Sequence, residues 1–252
     1  MCDMSKLLRF EFRKLLQSKS LYICSGLLAA LTAFSVYTAK AMNDDLKLDA
    51  VTSGVNSLME ALPTSMIPML MGIFIALFVC EDYGSGTIRN VLTRGYSRLS
   101  VFASKYIAVL AAAVFMSAIC WAAAFVTGTA FGGSGSESFG SEQVKILLCQ
   151  LVNTLAFATV FFALCSMIQK SGGAIACCVV LPMVMKIVLK LADTALAEHG
   201  IELYKYWIEG LGQSIASVTV DGDTLKDALL YSVIYIPVSL AGGWLASRKR
   251  EY

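Results

Sequence analysis

The stretch "EDYGSGTIRNVLTRGYSRLSVFASK", residues 81–105, sits between the mostly apolar runs 62–80 and 106–131. It holds two acids, four basic residues and three glycines. Each flanking run is about the 20 residues that a helix needs to cross a bilayer. The polar stretch is therefore a link between two membrane spans, and the fold reading follows from that. A link that only connects helices needs about 2–8 residues. This one is long enough to carry structure of its own.

The composition agrees. The 252 residues are 57% hydrophobic and 15% charged, against about 25% charge in soluble domains, and the mean hydropathy is +0.69. We expect an all-α integral membrane protein with six transmembrane helices at Leu21–Ala39, Leu62–Cys80, Tyr106–Phe131, Ile146–Ile168, Ala174–Leu191 and Ala228–Ala246. Barrel strands would alternate over about ten residues, whereas these runs are continuous. Pro63 and Pro68 fall in the second run, Pro182 in the fifth and Pro237 in the sixth; prolines are tolerated where neighbouring groups satisfy the freed carbonyls. The chain reads as a single transmembrane domain over 1–252: residues 1–20 before the first span, 21–246 in the six-helix domain, and a tail at 247–252. The basic, amphipathic start has no cleavage-like site and is not a signal peptide.

Lysine and arginine set the orientation. With the N-terminus cytoplasmic, thirteen of the twenty basic residues and only five of the eighteen acids lie inside. Six spans then return the C-terminal "ASRKREY" to the cytoplasm. The eight cysteines lie mostly in or beside apolar runs and read as small buried hydrophobes. His199, the one histidine, reads as a surface residue.

At the N-terminus, Leu8, Phe12, Leu15 and Leu16 share one helical face while Lys6, Arg9, Arg13 and Gln17 share the other. That pattern makes an amphipathic interfacial helix, either a topology anchor or a helix that packs against a partner. In the opening stretch, Glu81 and Asp82 end the second span, an unfavourable place for acids on a helix dipole, so nearby cations are expected. Gly84 and Gly86 break the helix. "TIRNVLTR" can form two turns with Ile88, Val91 and Leu92 on one face and Arg89 and Arg94 elsewhere. "GYSR" turns the chain, and Ser97 caps the helix that enters the third span.

Glu81, the run Gly86-Thr87-Ile88-Arg89, then Leu92, Ser97-Arg98 and Ser104-Lys105 resemble the pattern of permease subunits of ABC-2 type transporters. The residue-level likeness spans about 25 positions, and the layout resembles the family along the whole chain. The family's proline before the arginine is replaced here by Gly95-Tyr96 in "RGYSR". The chain's size is similar to that of permeases paired with bacteriocin or lantibiotic self-protection exporters. The resemblance implies an exporter subunit in the cell membrane, multi-pass and bacterial, moving a peptide, lipid or amphipathic antibiotic. It implies a short cytoplasmic coupling helix that docks on a separate ATP-binding subunit. Ile88, Val91 and Leu92 would then make the apolar contact, Arg89, Arg94 and Arg98 the polar one, Thr87 would open the helix, and Glu81 would brace the loop in an ion pair. The implied partners are that ATPase, a second permease, identical or related, and membrane lipid, with no nucleic acid among them. ATP and Mg would sit on the ATPase, since this chain has no G-x-x-x-x-G-K-[ST] phosphate loop. The transport subunit itself would not be an enzyme.

Two further features stand apart. Lys186 and Lys190 share a face in the outer half of the fifth span, with Asp193 in reach of Lys190. They either snorkel to the interface or line an exit path. In the segment 192–227, Tyr204, Tyr206 and Trp207 suit a membrane interface, Gly210 and Gly212 read as breaks, and Thr224 with Asp227 as a cap for the last span. The segment is either a shallow re-entrant or interfacial helical pair or an amphipathic loop on the headgroups. Tyr204 and Trp207 join the two lysines as a candidate outer gate. A channel or secondary transporter working without an ATPase is the alternative class, though mid-span acids and internal repeats are missing from the sequence. No histidine cluster, paired carboxylates or nucleophile constellation points to a membrane enzyme.

Overall fold

The computed structural model describes residues 4–46, 54–62, 66–132, 140–196, 202–216 and 222–248. These residues are helical throughout, with no strand among them. Six long helices are long and apolar enough to cross a membrane. They are α2 (Lys19–Leu46), α4 (Met66–Gly84), α6 (Arg98–Gly132), α7 (Ser141–Ile168), α8 (Ser171–Leu196) and α10 (Gly222–Arg248). Four short helices accompany them: α1 (Met4–Gln17), α3 (Gly54–Glu60), α5 (Thr87–Thr93) and α9 (Ile208–Ala216). A single 3-10 turn at Tyr204–Tyr206 precedes α9. The chain is thus an all-helical protein with the makings of a multi-pass membrane protein.

The centre of the bundle is α4 and α7, each 61% buried over its apolar window, while α8 and α10 are 11% and 17% buried. Phe74, Ile75, Phe78 and Val79 of α4 meet Phe157, Phe161 and Phe162 of α7 in one apolar core. The outer faces of α8 and α10, with Val184, Ile187, Val233 and Val238, stay exposed, as suits helices that face hydrocarbon. Seven cysteines are free; Cys177 is half-buried and the other six are buried. Pro182 and Pro237 lie inside α8 and α10.

The six expected spans all appear, with shifted bounds. The second starts at Met66 rather than Leu62, because 54–60 folds as its own helix against α6. It also runs to Gly84, past Glu81 and Asp82, because cations from α1 and α6 meet the acids there. The third begins eight positions before Tyr106, at Arg98. At about 1.5 Å per residue, α6 is about 52 Å long and exceeds the roughly 30 Å hydrocarbon core.

The buried stripe of α1 is Leu7, Glu11 and Leu15, not the expected Leu8, Phe12, Leu15 and Leu16. Leu8 and Phe12 are half-buried, and Leu16 is exposed. Pro63, residues 133–139 of the Gly/Ser-rich stretch after the third span, His199, the side chain of Thr224 and the tail from Lys249 lie outside the described residues.

Candidate functional site

The link between α4 and α6 is built by its glycines. The N–H of Ser85 reaches the Glu81 carbonyl at 2.9 Å and closes the last turn of α4. Gly86 then takes φ 69° and Gly95 takes φ 86°. Both are left-handed, where a side chain costs about 1–2 kcal/mol. These two residues bracket α5 and set its direction. Arg94 and Gly95 close its end through N–H bonds to the Val91 and Leu92 carbonyls, at 3.2 and 3.0 Å. Ser97 Oγ accepts the N–H of Ser100 at 3.1 Å, so it caps α6 as expected.

Ile88 is buried at 5% exposure against Leu7 of α1 and Val101 of α6. Val91, Leu92 and Tyr96 pack half-buried on the same cluster. Ile88, which the resemblance implies as part of an apolar contact, is thus buried within the chain, while Val91 and Leu92 keep part of their surface exposed. Tyr96, in the "RGYSR" turn, adds its ring to this cluster. The exposed face carries Arg89, Asn90, Thr93 and Arg94. Thr87 is half-buried, its hydroxyl 2.8 Å from that of Ser85. Arg98 donates to the Arg248 carbonyl at 3.4 Å, which ties the start of α6 to the end of α10. Behind α5 a shallow cleft is lined by Ile88, Leu92, Phe102, Phe162 and Ser247.

Beneath this link lies a charge cluster that supplies the cations expected near Glu81 and Asp82, from residues the sequence reading did not name. Lys105 Nζ is 3.0 Å from Glu11 Oε1 and also contacts Asp82 Oδ2. Lys14 contacts Asp82 Oδ1 and reaches Glu81 at 3.8 Å. Lys105, Asp82 and Glu11 have side chains only 3–4% exposed. Lys14 also stands 5.0 Å from the centre of the Phe78 ring, a cation–π distance. Two cations thus balance two buried carboxylates, which is the condition for burying charge at all. Glu81, which was expected to brace the loop, is the exposed outlier of the group at 70%. Asp82, its neighbour, is the anchor. A signal was present: Glu11 interrupts the Leu7–Leu15 stripe at four-residue spacing, placing an acid on the buried side of α1.

This end of the bundle is strongly basic. Lys6, Arg9, Arg13, Lys19, Arg89, Arg94, Arg98, Lys170 and Arg248 are exposed there, and Glu81 is the one exposed acid among its described residues.

The other candidates gather at the opposite end. Lys186 Nζ pairs with Glu209 Oε1 of α9 at 2.8 Å, a partner the sequence reading did not name. Lys190 sits 5.1 Å from the Tyr204 ring centre. Asp193, rather than pairing with Lys190, accepts the N–H groups of Leu203 at 2.6 Å and Tyr204 at 3.1 Å. Burial, then the nearby Glu209 carboxylate, pushes the Tyr204 hydroxyl up to about 12. Trp207 meets Tyr235 of α10 edge-on at 6.3 Å. Gly210 and Gly212, expected as breaks, lie inside α9. Gly210 is where α9 touches its own lead-in: a Cβ there would fall 1.9 Å from the Tyr204 carbonyl oxygen. The buried residues Ile208, Leu211 and Ile215 seat α9 in the bundle, alongside α7 and α10. Lys186, Lys190, Tyr204 and Trp207 are thus brought together around one segment.

A protein family described as "Protein of unknown function (DUF2705)" matches residues 26–252. The match takes in Asp82, Lys105, α5 and α9, and begins after α1. No curated protein matches the chain.

Proposed function

We propose that this chain, which belongs to the DUF2705 family, is the transmembrane permease subunit of an ATP-driven exporter, powered by a separate ATP-binding subunit. The observation that carries the reading is α5, a two-turn helix presented between two spans and seated on α1 and α6. A connecting loop has no need of such a helix, whereas a transport subunit that takes its power from outside needs a rigid handle. The charge cluster supplies the second part: push on α5, and α4, α6 and α1 are joined at Asp82, Lys105 and Glu11.

The concentration of exposed basic residues at the α5 end supports a cytoplasmic placement for that end and for both termini. The membrane is then the plasma membrane of a bacterial cell. A second permease completes the pathway, since six spans are few for one. The cargo class is amphipathic: a peptide, lipid or antibiotic that six mostly apolar helices can pass. The likeness of 81–105 to ABC-2 permeases supports the same reading.

The test is co-purification of the full chain from its native membrane with an ATP-binding-cassette ATPase, followed by ATP hydrolysis in proteoliposomes. A stable complex with ATPase activity stimulated by candidate amphipathic peptides is expected. Substrate flux through the chain alone, with no ATPase bound, would instead establish a channel or secondary transporter and overturn the proposal.

A further inference from the structure

The inward side of α1, with Leu7, Glu11 and Leu15, is buried against the bundle, where Glu11 meets Lys105 and the neighbouring Lys14 meets Asp82. At about 100° per residue, Arg9 and Arg13 point the other way, each roughly 160° from Glu11 and about 40° from one another. Both arginines are exposed. Glu11 is the one acid of α1 and it is turned inward, so the outward side carries no negative charge. Leu16 lies beside the arginines and is 59% exposed. The height of this side is set by the corner between α1 and α2. The Tyr22 hydroxyl donates to the Leu16 carbonyl at 2.9 Å. Tyr22 and Ile23 are 53% and 68% exposed, and they open a bare apolar surface on α2 that continues through Leu27 and Phe34. Tyrosine, with an apolar ring and a polar tip, suits the boundary between hydrocarbon and headgroups. Leu16 therefore sits at the rim of the apolar surface, with Arg9 and Arg13 next to it at headgroup level.

We infer that the outward side of α1 seats an anionic phospholipid: Arg9 and Arg13 take its phosphate while Leu16 enters the adjoining acyl layer. Charge complementarity selects the occupant. An arginine fork offers paired N–H donors to a phosphate, and basic residues set beside apolar ones favour anionic over neutral lipid. Phosphatidylcholine carries the same phosphate next to a quaternary ammonium, which repels the two guanidinium groups. Phosphatidylglycerol carries no such cation. The inference goes beyond the exporter reading and does not depend on it. The helix that holds the lipid on its outward side is joined on its inward side to α4 and α6, through Asp82 and Lys105. A seated anionic lipid thus holds α1 in place from outside while the charge cluster holds it from within, and the lipid composition of the leaflet sets how firmly α1 is fixed.

The experiment reads which lipid the full chain keeps. The chain is released from nanodiscs made of equal phosphatidylglycerol and phosphatidylcholine, and its bound lipid is counted by native mass spectrometry. A basic residue near an anionic surface is worth about fivefold in binding, so the first lipid kept should be phosphatidylglycerol by at least about tenfold. Arg9→Gln with Arg13→Gln should bring the two lipids to within about threefold of parity. Arg89→Gln, on the exposed side of α5 at the same end, should leave the preference intact. The thermal transition of each variant in phosphatidylcholine nanodiscs is the folding control. Should the double variant fail to fold, the wild-type chain still decides: raising salt from about 0.05 M to about 0.5 M shortens the Debye length about threefold, and the preference should fall severalfold. Soluble glycerol phosphate in large excess should not displace the lipid. A wild-type chain without preference, a preference that survives the double substitution or high salt, or one that falls as far in Arg89→Gln would overturn the inference. Displacement by glycerol phosphate would make this a site for free phosphate and overturn it as well. None of these results touches the exporter reading, which stands or falls on the ATPase.

Discussion

Lys105 Nζ and Glu11 Oε1 meet at 3.0 Å across 94 positions of sequence, and this pair fastens the first helix of the chain to the start of its longest one. Both side chains are 3–4% exposed. Taking one partner of such a pair away leaves a buried charge, at a cost of about 3–5 kcal/mol. Lys105→Met should therefore destabilise strongly, because Glu11 is stranded and Asp82 keeps only Lys14. Adding Glu11→Met should recover much of the loss, since Lys14 and Asp82 remain a balanced pair. Chemical and thermal unfolding of the purified protein in detergent read this directly. A double variant as unstable as the sum of the two singles would mean that the pair is not coupled.

The six spans were legible because a run of about 20 apolar residues has one economical fate in a bilayer. Ser97 as a cap was legible too, because capping is local chemistry. The extension of α4 through Glu81 and Asp82 was not. Acids at a helix C-terminus look like a stop, and only the arrival of Lys14 and Lys105 from distant parts of the chain allows the helix to continue. The burial of Ile88 was not legible for a similar reason. Periodicity shows that Ile88, Val91 and Leu92 share a face, yet cannot say whether that face meets a partner or Leu7 and Val101. A helical element before the last span was among the expectations, but its course through 208–216 was not legible: Gly210 and Gly212 read as breaks, whereas both allow close approach, to Tyr204 and Asn153.

The glycines that bracket α5 should tolerate asparagine better than alanine. Gly86 and Gly95 both have positive φ, and asparagine visits that region more readily than other residues with a side chain. Gly86→Ala and Gly95→Ala should each cost about 1–2 kcal/mol. If α5 is the handle, they should uncouple ATP hydrolysis from transport more than they lower the melting temperature. Substitutions by asparagine that cost as much as those by alanine would show that the turns are not held in the left-handed region.

Two helical glycines should respond oppositely to the same change. In α9, the Cβ of Gly210→Ala would collide with the Tyr204 backbone, so the 3-10 turn and α9 must separate. An overpacked site of this kind typically costs about 1–3 kcal/mol. At Gly242 in α10 a Cβ meets nothing within 4 Å. Gly242→Ala should be neutral or should stabilise by up to about 1 kcal/mol through helix propensity. Melting temperatures of the two variants in one detergent settle the comparison, and equal shifts would contradict the close approach at Gly210.

Lys186 and Glu209 should behave as a latch between α8 and α9. Glu209 has a side chain 8% exposed and Lys186 one 29% exposed, at 2.8 Å. Lys186→Met leaves the buried carboxylate of Glu209 beside the Tyr204 phenol, whose pKa burial and that carboxylate already push up to about 12. The expected loss is about 1–3 kcal/mol, below the range for fully buried pairs because water still reaches Lys186. Glu209→Gln combined with Lys186→Met removes both charges and should restore stability toward the wild type. Hydrogen exchange gives the sharper readout: in the single variant, protection should drop in α9 and the 3-10 turn and hold in α4 and α7. Uniform loss across the bundle would mean that the pair supports the whole fold and does not latch one segment. A local loss accompanied by leak of substrate through proteoliposomes would place the latch on the exit path.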